Sequence, residues 1–456
     1  MAFLSSRAGP SFWLFSVVCA GLLLVAGPVQ AQSNGDGSVY SQFGLGMLQD
    51  FSSSQSAALG RGAYALRTLN YNPNANPALW SDQVFTRLSA GASYQNIQST
   101  TGEGPSSQLV SGTLEGLQFN FPIYERTLGV GLSFQPFSQY NYRTRRDSAL
   151  SVRVSPDNVV DAPYRVNFQG SGGLYQLRGG LGYRVTDALR VGASLDVIFG
   201  IIENQRNTEF GEAPIRDVRL RDATRLTGIG GTVGAHLSFR DVLAEEDALS
   251  IGASVNLPTT LDGPRVLTLS ETRSVLPDTL SSADGQSSFD GEVSLPWRGR
   301  LGLAYQPSNR WTFTADGLYE PWSSFTSTFG DEGPFTRRFP VGGEETLSDR
   351  WRISLGTEVI PAGSDQYSGY LANVAYRFGV YTEQMYVQPE AGTDVQTYAA
   401  TAGFSLPTSL SGTRIDLNLE AGTRGATDGA LVRDNFYRVA LHVNFGERWF
   451  QERKLR

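Results

Sequence analysis

The segment Leu189-Arg190-Val191-Gly192-Ala193-Ser194-Leu195-Asp196-Val197 decides the fold class, because apolar and polar side chains alternate along it. A period of two places Leu189, Val191, Ala193, Leu195 and Val197 on one face of a strand and Arg190, Ser194 and Asp196 on the other. The pattern recurs at Leu249, Ile251, Ala253, Val255 and Leu257, at Leu295, Trp297, Leu301, Leu303 and Tyr305, and at Ile415, Leu417, Leu419 and Ala421. Opposite these stand Arg298 and Arg300, or Arg414, Asp416, Asn418 and Glu420. A soluble sandwich also alternates, but its strands average about 5–6 residues. These runs reach about ten residues or more, the length that crosses a bilayer at a tilt. The expectation is an all-β, transmembrane, antiparallel up-and-down β-barrel, apolar toward lipid and ionic toward the lumen.

Outward from that segment, strand-like stretches run from residues 84–98 to residues 434–446 and number about fourteen, even as a bacterial barrel requires. Their connections alternate. Short turns are expected around Tyr124-Glu125-Arg126, Val185-Thr186-Asp187, Pro307-Ser308-Asn309, Ala362-Gly363-Ser364 and Thr408-Ser409-Leu410, and long polar loops around residues 143–171, 204–218, 260–285 and 329–348. Short periplasmic turns and long outer loops are the habit of outer-membrane barrels. Tyr183, Tyr305, Trp311, Trp351 and Phe445 are expected near the short turns as an aromatic girdle. The last strand turns Tyr437, Val439, Leu441, Val443 and Phe445 outward, with Arg438, His442 and Asn444 inward. A terminal aromatic strand of this kind is what barrel-insertion machinery reads during assembly.

Residues 57–80, AALGRGAYALRTLNYNPNANPALW, do not fit the strand pattern. Gly60 and Gly62 interrupt regular structure, and Asn72-Pro73-Asn74-Ala75-Asn76-Pro77-Ala78 combines two prolines that lack a donor with three asparagines that cap turns locally. An ordinary surface turn explains the Asn76-Pro77-Ala78 part. A plug enclosed by the barrel explains the whole stretch.

Residues 1–31 read as a secretory signal, with Arg7, an apolar run from Phe12 to Ala26 and a small-residue cleavage site at Val29-Gln30-Ala31. The expected organisation is therefore signal peptide 1–31, N-terminal extension and hatch 32–82, barrel 83–446 and a periplasmic tail 447–456. The single cysteine, Cys19, falls in the signal, which removes disulfides, thiol chemistry and zinc fingers from the mature chain. The two histidines, His236 and His442, both lie in alternating strands, so neither a catalytic constellation nor a metal site is expected, and no cofactor. Net charge of −7 argues against a nucleic-acid partner. The run Gly228-Ile229-Gly230-Gly231-Thr232-Val233-Gly234 is not followed by a helix, so small residues that make room for a plug or bend the wall explain it better than a phosphate loop.

Three places in order resemble the FadL/OmpP1-type family of outer-membrane transporters for hydrophobic compounds. Gly60-Arg61-Gly62-Ala63-Tyr64-Ala65 with Asn76-Pro77-Ala78 is similar to that family's hatch. Gly170-Ser171-Gly172-Gly173-Leu174-Tyr175, leading into Gly182-Tyr183-Arg184, resembles its mid-barrel hairpin. Leu295-Pro296-Trp297 and the run from Ala315 to Phe325 resemble its strand with a Trp-Ser-x-Phe end, and Tyr40-Ser41-Gln42-Phe43-Gly44-Leu45-Gly46 resembles a Bacteroidetes-like branch. The resemblance implies fourteen strands around a hatch, with a kinked third strand that opens laterally to the bilayer. Pro136 supports the kink independently, since proline inside a strand removes a ladder donor and marks an edge, bulge or break. The alternative is that Pro136 lies above the membrane.

Among lumen residues, Arg298 and Arg300 are candidates to receive a ligand carboxylate through a two-pronged contact. In simple hairpin register Arg300 comes close to Asp316, with Glu320 further along, so a structural charge ladder explains the same residues. The functional expectation is a monomeric, non-enzymatic transporter in the outer membrane of a Gram-negative cell. It would pass fatty acids or other hydrophobic small molecules down a gradient through hatch movement at Asn76-Pro77-Ala78 and lateral exit at Pro136 into outer-membrane lipid. The rival readings are a shuttle or scaffold for secreted proteins on the same fold, and a general porin.

Overall fold

The computed structural model describes residues 37–448 apart from 103–105, 156–157, 211–216, 273–284, 330–338, 341–342, 344–345, 366, 391, 411 and 430. The expected signal peptide, residues 449–456 of the tail and parts of several long loops lie outside the described residues.

Fourteen strands form a closed antiparallel wall. In chain order they are Thr86–Thr100, Ser107–Tyr124, Leu128–Pro136, Asn158–Arg184, Leu189–Phe210, Asp217–Arg240, Ala248–Asn256, Arg298–Ser308, Trp311–Glu320, Arg350–Val359, Ala375–Gln384, Gln396–Pro407, Arg414–Arg424 and Arg433–Glu447. Closure comes from the last strand lying against the first, with Thr86 opposite Glu447 and Thr100 opposite Arg433. No sheet edge is left there to be satisfied in lipid.

Burial along the wall is inverted relative to a soluble protein. Leu195 is 68% exposed and Ile229 70%, while Asp196 is 2% and Arg190 1%. A period-two strand sorts its side chains by face, and here the apolar face is the outer one, which is stable only against lipid. The ionic face points into a lumen filled by residues 37–85. That segment begins at the long-loop mouth, where the 3-10 turn Val39–Gln42 lies and the Tyr40 hydroxyl donates to the Val432 carbonyl at 2.5 Å. It descends through a short helix, Ser54–Ala58, to the 3-10 helix Pro77–Asp82 at the short-turn end, and feeds directly into the first wall strand.

Three expectations are corrected in the wall. The connection after the tenth strand runs over residues 360–374 and contains the 3-10 turn Tyr370–Asn373, so the eleventh strand starts at Ala375 and the turn at Ala362-Gly363-Ser364 is only part of a longer link. The tract through Leu295, Pro296 and Trp297 is not one strand. Gly285–Leu295 ends before Pro296 and pairs with Thr259–Thr272 in a hairpin laid against the sixth wall strand, because proline cannot donate to a continuing ladder. Trp351 pairs opposite Tyr319 and Gln384 near the start of its strand, at the long-loop rim, and its indole N–H donates to Gln384 at 2.9 Å.

Candidate functional site: the hatch and the break in the wall

The third wall strand ends at Pro136, whose ring removes one ladder donor at that position. Beyond it the chain bends toward the lumen. Phe137 N–H donates to Leu174 O at 2.8 Å and Tyr140 N–H to Gly172 O at 2.9 Å, while Ser138 and Gln139 pair with Leu48 and Met47 of the hatch. The chain then rejoins the fourth strand as Tyr142–Ser155. The glycines of Gly170-Ser171-Gly172-Gly173 serve this bend: Gly173 has φ +140°, and a Cβ on it would overlap the Ser138 carbonyl oxygen.

The bend opens the wall. In the second strand, residues 117–124 are laddered to the third strand, whereas residues 107–116 are laddered to the first strand alone among the described residues. The change falls at Gly116, beside a register shift at Gly91/Ala92. Across the interruption a side-chain bond remains, Gln139 Nε2 donating to Thr113 Oγ1 at 2.9 Å. Behind it lie Gln49, Phe51, Thr113, Glu115 and Pro136, lining a small cavity. Phe51 of the hatch stacks on His442, with centroids 5.3 Å apart and planes 2° apart, and His442 Nε2 lies 2.7 Å from Glu115 Oε2.

The hatch is held to the wall by ionic and backbone contacts. Asp50, the only carboxylate between residues 37 and 81, sits between Arg300, at 3.2 Å, and Arg352. Burial by itself would raise its pKa, but the guanidiniums of Arg300 and Arg352 outweigh burial and hold the carboxyl well below the usual carboxylate range. Arg61 pairs with Glu420 at 2.7 Å, and Arg178 of the fourth strand donates to the Asn74 carbonyl at 2.7 Å. At the short-turn end Asp82 accepts from Arg67 and Arg190, each at 2.7 Å. Burial works against its charge too, and the hydrogen bonds and charges of those two arginines overcome it, so the Asp82 pKa lies below its ordinary value.

Close approach of hatch to wall depends on glycine. Gly60, Arg61 and Ala63 all have positive φ, near +62 to +68°. This run turns the N–H groups of Ala63 and Tyr64 onto Asp316, at 2.7 and 2.8 Å from its two oxygens, a backbone nest for a carboxylate. A Cβ on Gly62 would come 2.5 Å from Asp316 Oδ2 and from Ser354 Oγ. Glycines of the wall face the hatch in turn: Gly192 and Gly182 meet Pro77, Gly234 meets Asn76, Gly252 meets the Tyr64 carbonyl and Gly379 meets Gly60. Within the glycine-rich run of the sixth strand, Gly234 makes room for the hatch, whereas Gly228 and Gly230 accommodate the neighbouring Thr259 and Thr260.

The expected site residues fall into separate places. Asn76, Pro77 and Ala78 are buried at the short-turn end, where Asn76 caps the 3-10 helix through its contact with the Ala78 N–H. The hatch residues beside Pro136 are instead 47–52, with Asn74 reaching Gln135 at 2.9 Å. Arg300 and Asp316 do not pair. Opposite Arg300 stands Leu318, opposite Asp316 stands Gly302, and Asp316 is taken up by the hatch amides. Arg298 has Glu320 at 2.5 Å, and Arg300 has Asp50 together with Asn256 at 2.6 Å, so both candidate carboxylate receivers already hold partners. The residues missed from sequence are Asp50, Arg352, Glu115 and Glu420. Alternation places Glu420 on the ionic face but gives it no role, and Asp50 leaves a trace as the lone acid of residues 37–81.

Comparison with solved structures agrees with this architecture. A FadL homologue of Pseudomonas aeruginosa superposes with a TM-score of 0.54 at 15% identity, over 87% of this chain and 99% of that one. The Ralstonia pickettii toluene transporter TbuX does so at 0.50 and 16%, over 88% and 99%, and the CymD monoaromatic hydrocarbon channel at 0.50 and 15%, over 90% and 100%. At such identities the likeness establishes the fold: a FadL-type barrel around an N-terminal hatch. No curated protein matches by sequence. The BamG family profile matches residues 15–456, and the chain belongs to the BamG family.

Proposed function

We propose that this protein is a passive outer-membrane conduit for hydrophobic small molecules, with lateral exit between the second and third wall strands. The observation that carries the reading is the one-sided ladder of residues 107–116, at the level where the third strand leaves the wall at Pro136. Above the bend, Phe137, Tyr140, Leu174, Ile198 and Trp322 belong to one apolar cluster beneath the long loops, where ligand would collect. The moving part in this reading is hatch segment 47–52, which lies against the break, and the buried Asn76-Pro77-Ala78 stays in place. Solved barrels of the same fold include a toluene transporter and a monoaromatic hydrocarbon channel, which supports an apolar cargo. A gradient is the proposed driving force, and export to the outer membrane would follow cleavage after Ala31.

The test joins the hatch to the bend. Leu48 and Ser138 are directly opposite in an antiparallel pair, where Cα atoms lie about 4.5–5.5 Å apart, within disulfide range. A Leu48→Cys/Ser138→Cys variant is expected to lose oleate and toluene uptake by whole cells when oxidised and to regain it on reduction. Equal uptake in both states would sink the proposal.

A second reading, a scaffold that docks other exported or outer-membrane proteins, is favoured by the BamG membership and by the buried ion pairs that hold the hatch. Pull-down of the intact protein from detergent extracts separates the readings. Stoichiometric protein partners without any hydrophobic uptake favour the scaffold.

A further inference from the structure

The short-turn mouth of the lumen holds a cavity of about 580 Å³ whose charge is opposite in sign to that of the whole chain. Five arginines line it: Arg67 of the hatch, Arg126 in the turn after the second strand, Arg184 closing the fourth strand, Arg190 opening the fifth and Arg240 closing the sixth. Against them stand two carboxylates. Asp82 is buried in the floor and committed to Arg67 and Arg190. Asp187 is fully exposed, 3.6 Å from Arg184, and a pair so open to water contributes little. Arg126 and Arg240 have no carboxylate partner among the described residues. The acidic turn after Arg240 does not neutralise them: Asp247 accepts from the amides of Val242, Leu243 and Ala244, and none of that turn's carboxylates lines the cavity.

Three features identify what such a cavity takes. Its inner lining includes Asp82, the last residue of the buried helix Pro77–Asp82, so the hatch itself forms part of its wall. Its volume is many times the roughly 30 Å³ share of one water, far more than a lone small anion fills. Its cations are all guanidiniums, whose planar forks match carboxylates two bonds at a time. Short turns face the periplasm in barrels of this type. We propose that this vestibule is a docking site for an acidic peptide segment of a periplasmic protein, with Arg126, Arg184 and Arg240 as the receiving residues and Arg67 and Arg190 held in place by Asp82.

The test uses the full-length protein in detergent and a fluorescein-labelled hexaglutamate peptide, followed by anisotropy. Binding is expected at low ionic strength and should fall as salt screens it. The Arg126→Gln/Arg184→Gln/Arg240→Gln variant should bind about tenfold more weakly, a change of about 1.4 kcal/mol, while its heat-modifiable migration on gels stays that of a folded barrel. Arg67 and Arg190 are left intact so that the hatch keeps its anchor. Undiminished binding by the folded triple variant overturns the proposal, as does an absence of binding to the parent protein. If inorganic phosphate or free glutamate displaces the peptide as effectively as unlabelled hexaglutamate, the site takes a free anion and the peptide assignment falls.

Discussion

Replacing Asp50 with alanine tests how the hatch is held. Its carboxylate is shared by Arg300 and Arg352, and the side chains are 7%, 3% and 2% exposed. Removing one member of a buried ion pair costs about 3–5 kcal/mol, because the remaining charge is left uncompensated. Here the low end applies. Arg352 keeps the Glu383 carboxylate at 3.6 Å and Arg300 keeps a hydrogen bond to the Asn256 side-chain oxygen, so only one of the two guanidiniums loses its carboxylate. A loss of about 3 kcal/mol raises the population of locally opened hatch by about a hundredfold. Hydrogen exchange read by mass spectrometry on the detergent-solubilised protein reports it directly, since the Gln49 amide is tied to the Phe137 carbonyl at 2.9 Å next to the substituted residue. Exchange over residues 47–52 should accelerate by about that factor, while strand Arg414–Arg424 exchanges as in the parent. Acceleration under about threefold, equivalent to less than ~0.7 kcal/mol, would refute the view that Asp50 pins the hatch. Uniform acceleration across the barrel would refute it differently, by showing that the residue supports the wall.

Because the folded-state pKa of Asp50 is depressed, its contribution is present above the unfolded value of about 3.9 and is lost as pH falls through the lower folded value. The exchange difference between the parent and Asp50→Asn should therefore be flat from neutral pH down to about 5 and shrink only below about 4. Gly379→Ala would drive a methyl into the Gly60 amide nitrogen, whereas a Cβ on Gly317 meets nothing within 4 Å. Overpacking predicts a loss of about 1–3 kcal/mol for the first and a near-parent thermal transition on heat-modifiability gels for the second. Asp316→Asn replaces an acceptor of two N–H groups with one that turns a donor toward one of them, and a buried N–H left without its acceptor costs about 1–3 kcal/mol. Faster protease cleavage within residues 60–66 of the otherwise intact barrel is the expected result.

Much of the barrel was legible in one dimension because strand geometry is local. Alternation at Leu189 to Val197 tells which side chains share a face, and the ionic character of the opposite face says that this face must be the inner one. Pro136 was likewise readable as a break, since its missing N–H belongs to the residue itself. Register and partner choice were not. A two-residue difference separates Arg300 opposite Asp316 from Arg300 opposite Leu318, and nothing in the hairpin sequence at residues 307–310 sets it, because the ladder there shifts between Tyr305 and Ser308. The start of the eleventh strand is hidden for a similar reason: the turn Tyr370–Asn373 runs through Val374 into the strand at Ala375 with no Gly or Pro to mark the boundary.

By itself, then, the amino-acid sequence determined the class of wall, the inward and outward faces, the presence of a non-strand segment ahead of the wall and the point where the third strand must stop. Only the tertiary structure decided which residues meet across the lumen. Asp50 finds Arg300 and Arg352, Glu115 finds His442, and Gly60 finds Gly379, in each case across roughly 250 to 330 positions of chain. Such contacts depend on how far a closed ring of fourteen strands rotates each inward face around the hatch. That rotation is a property of the assembled ring and is written in no single strand.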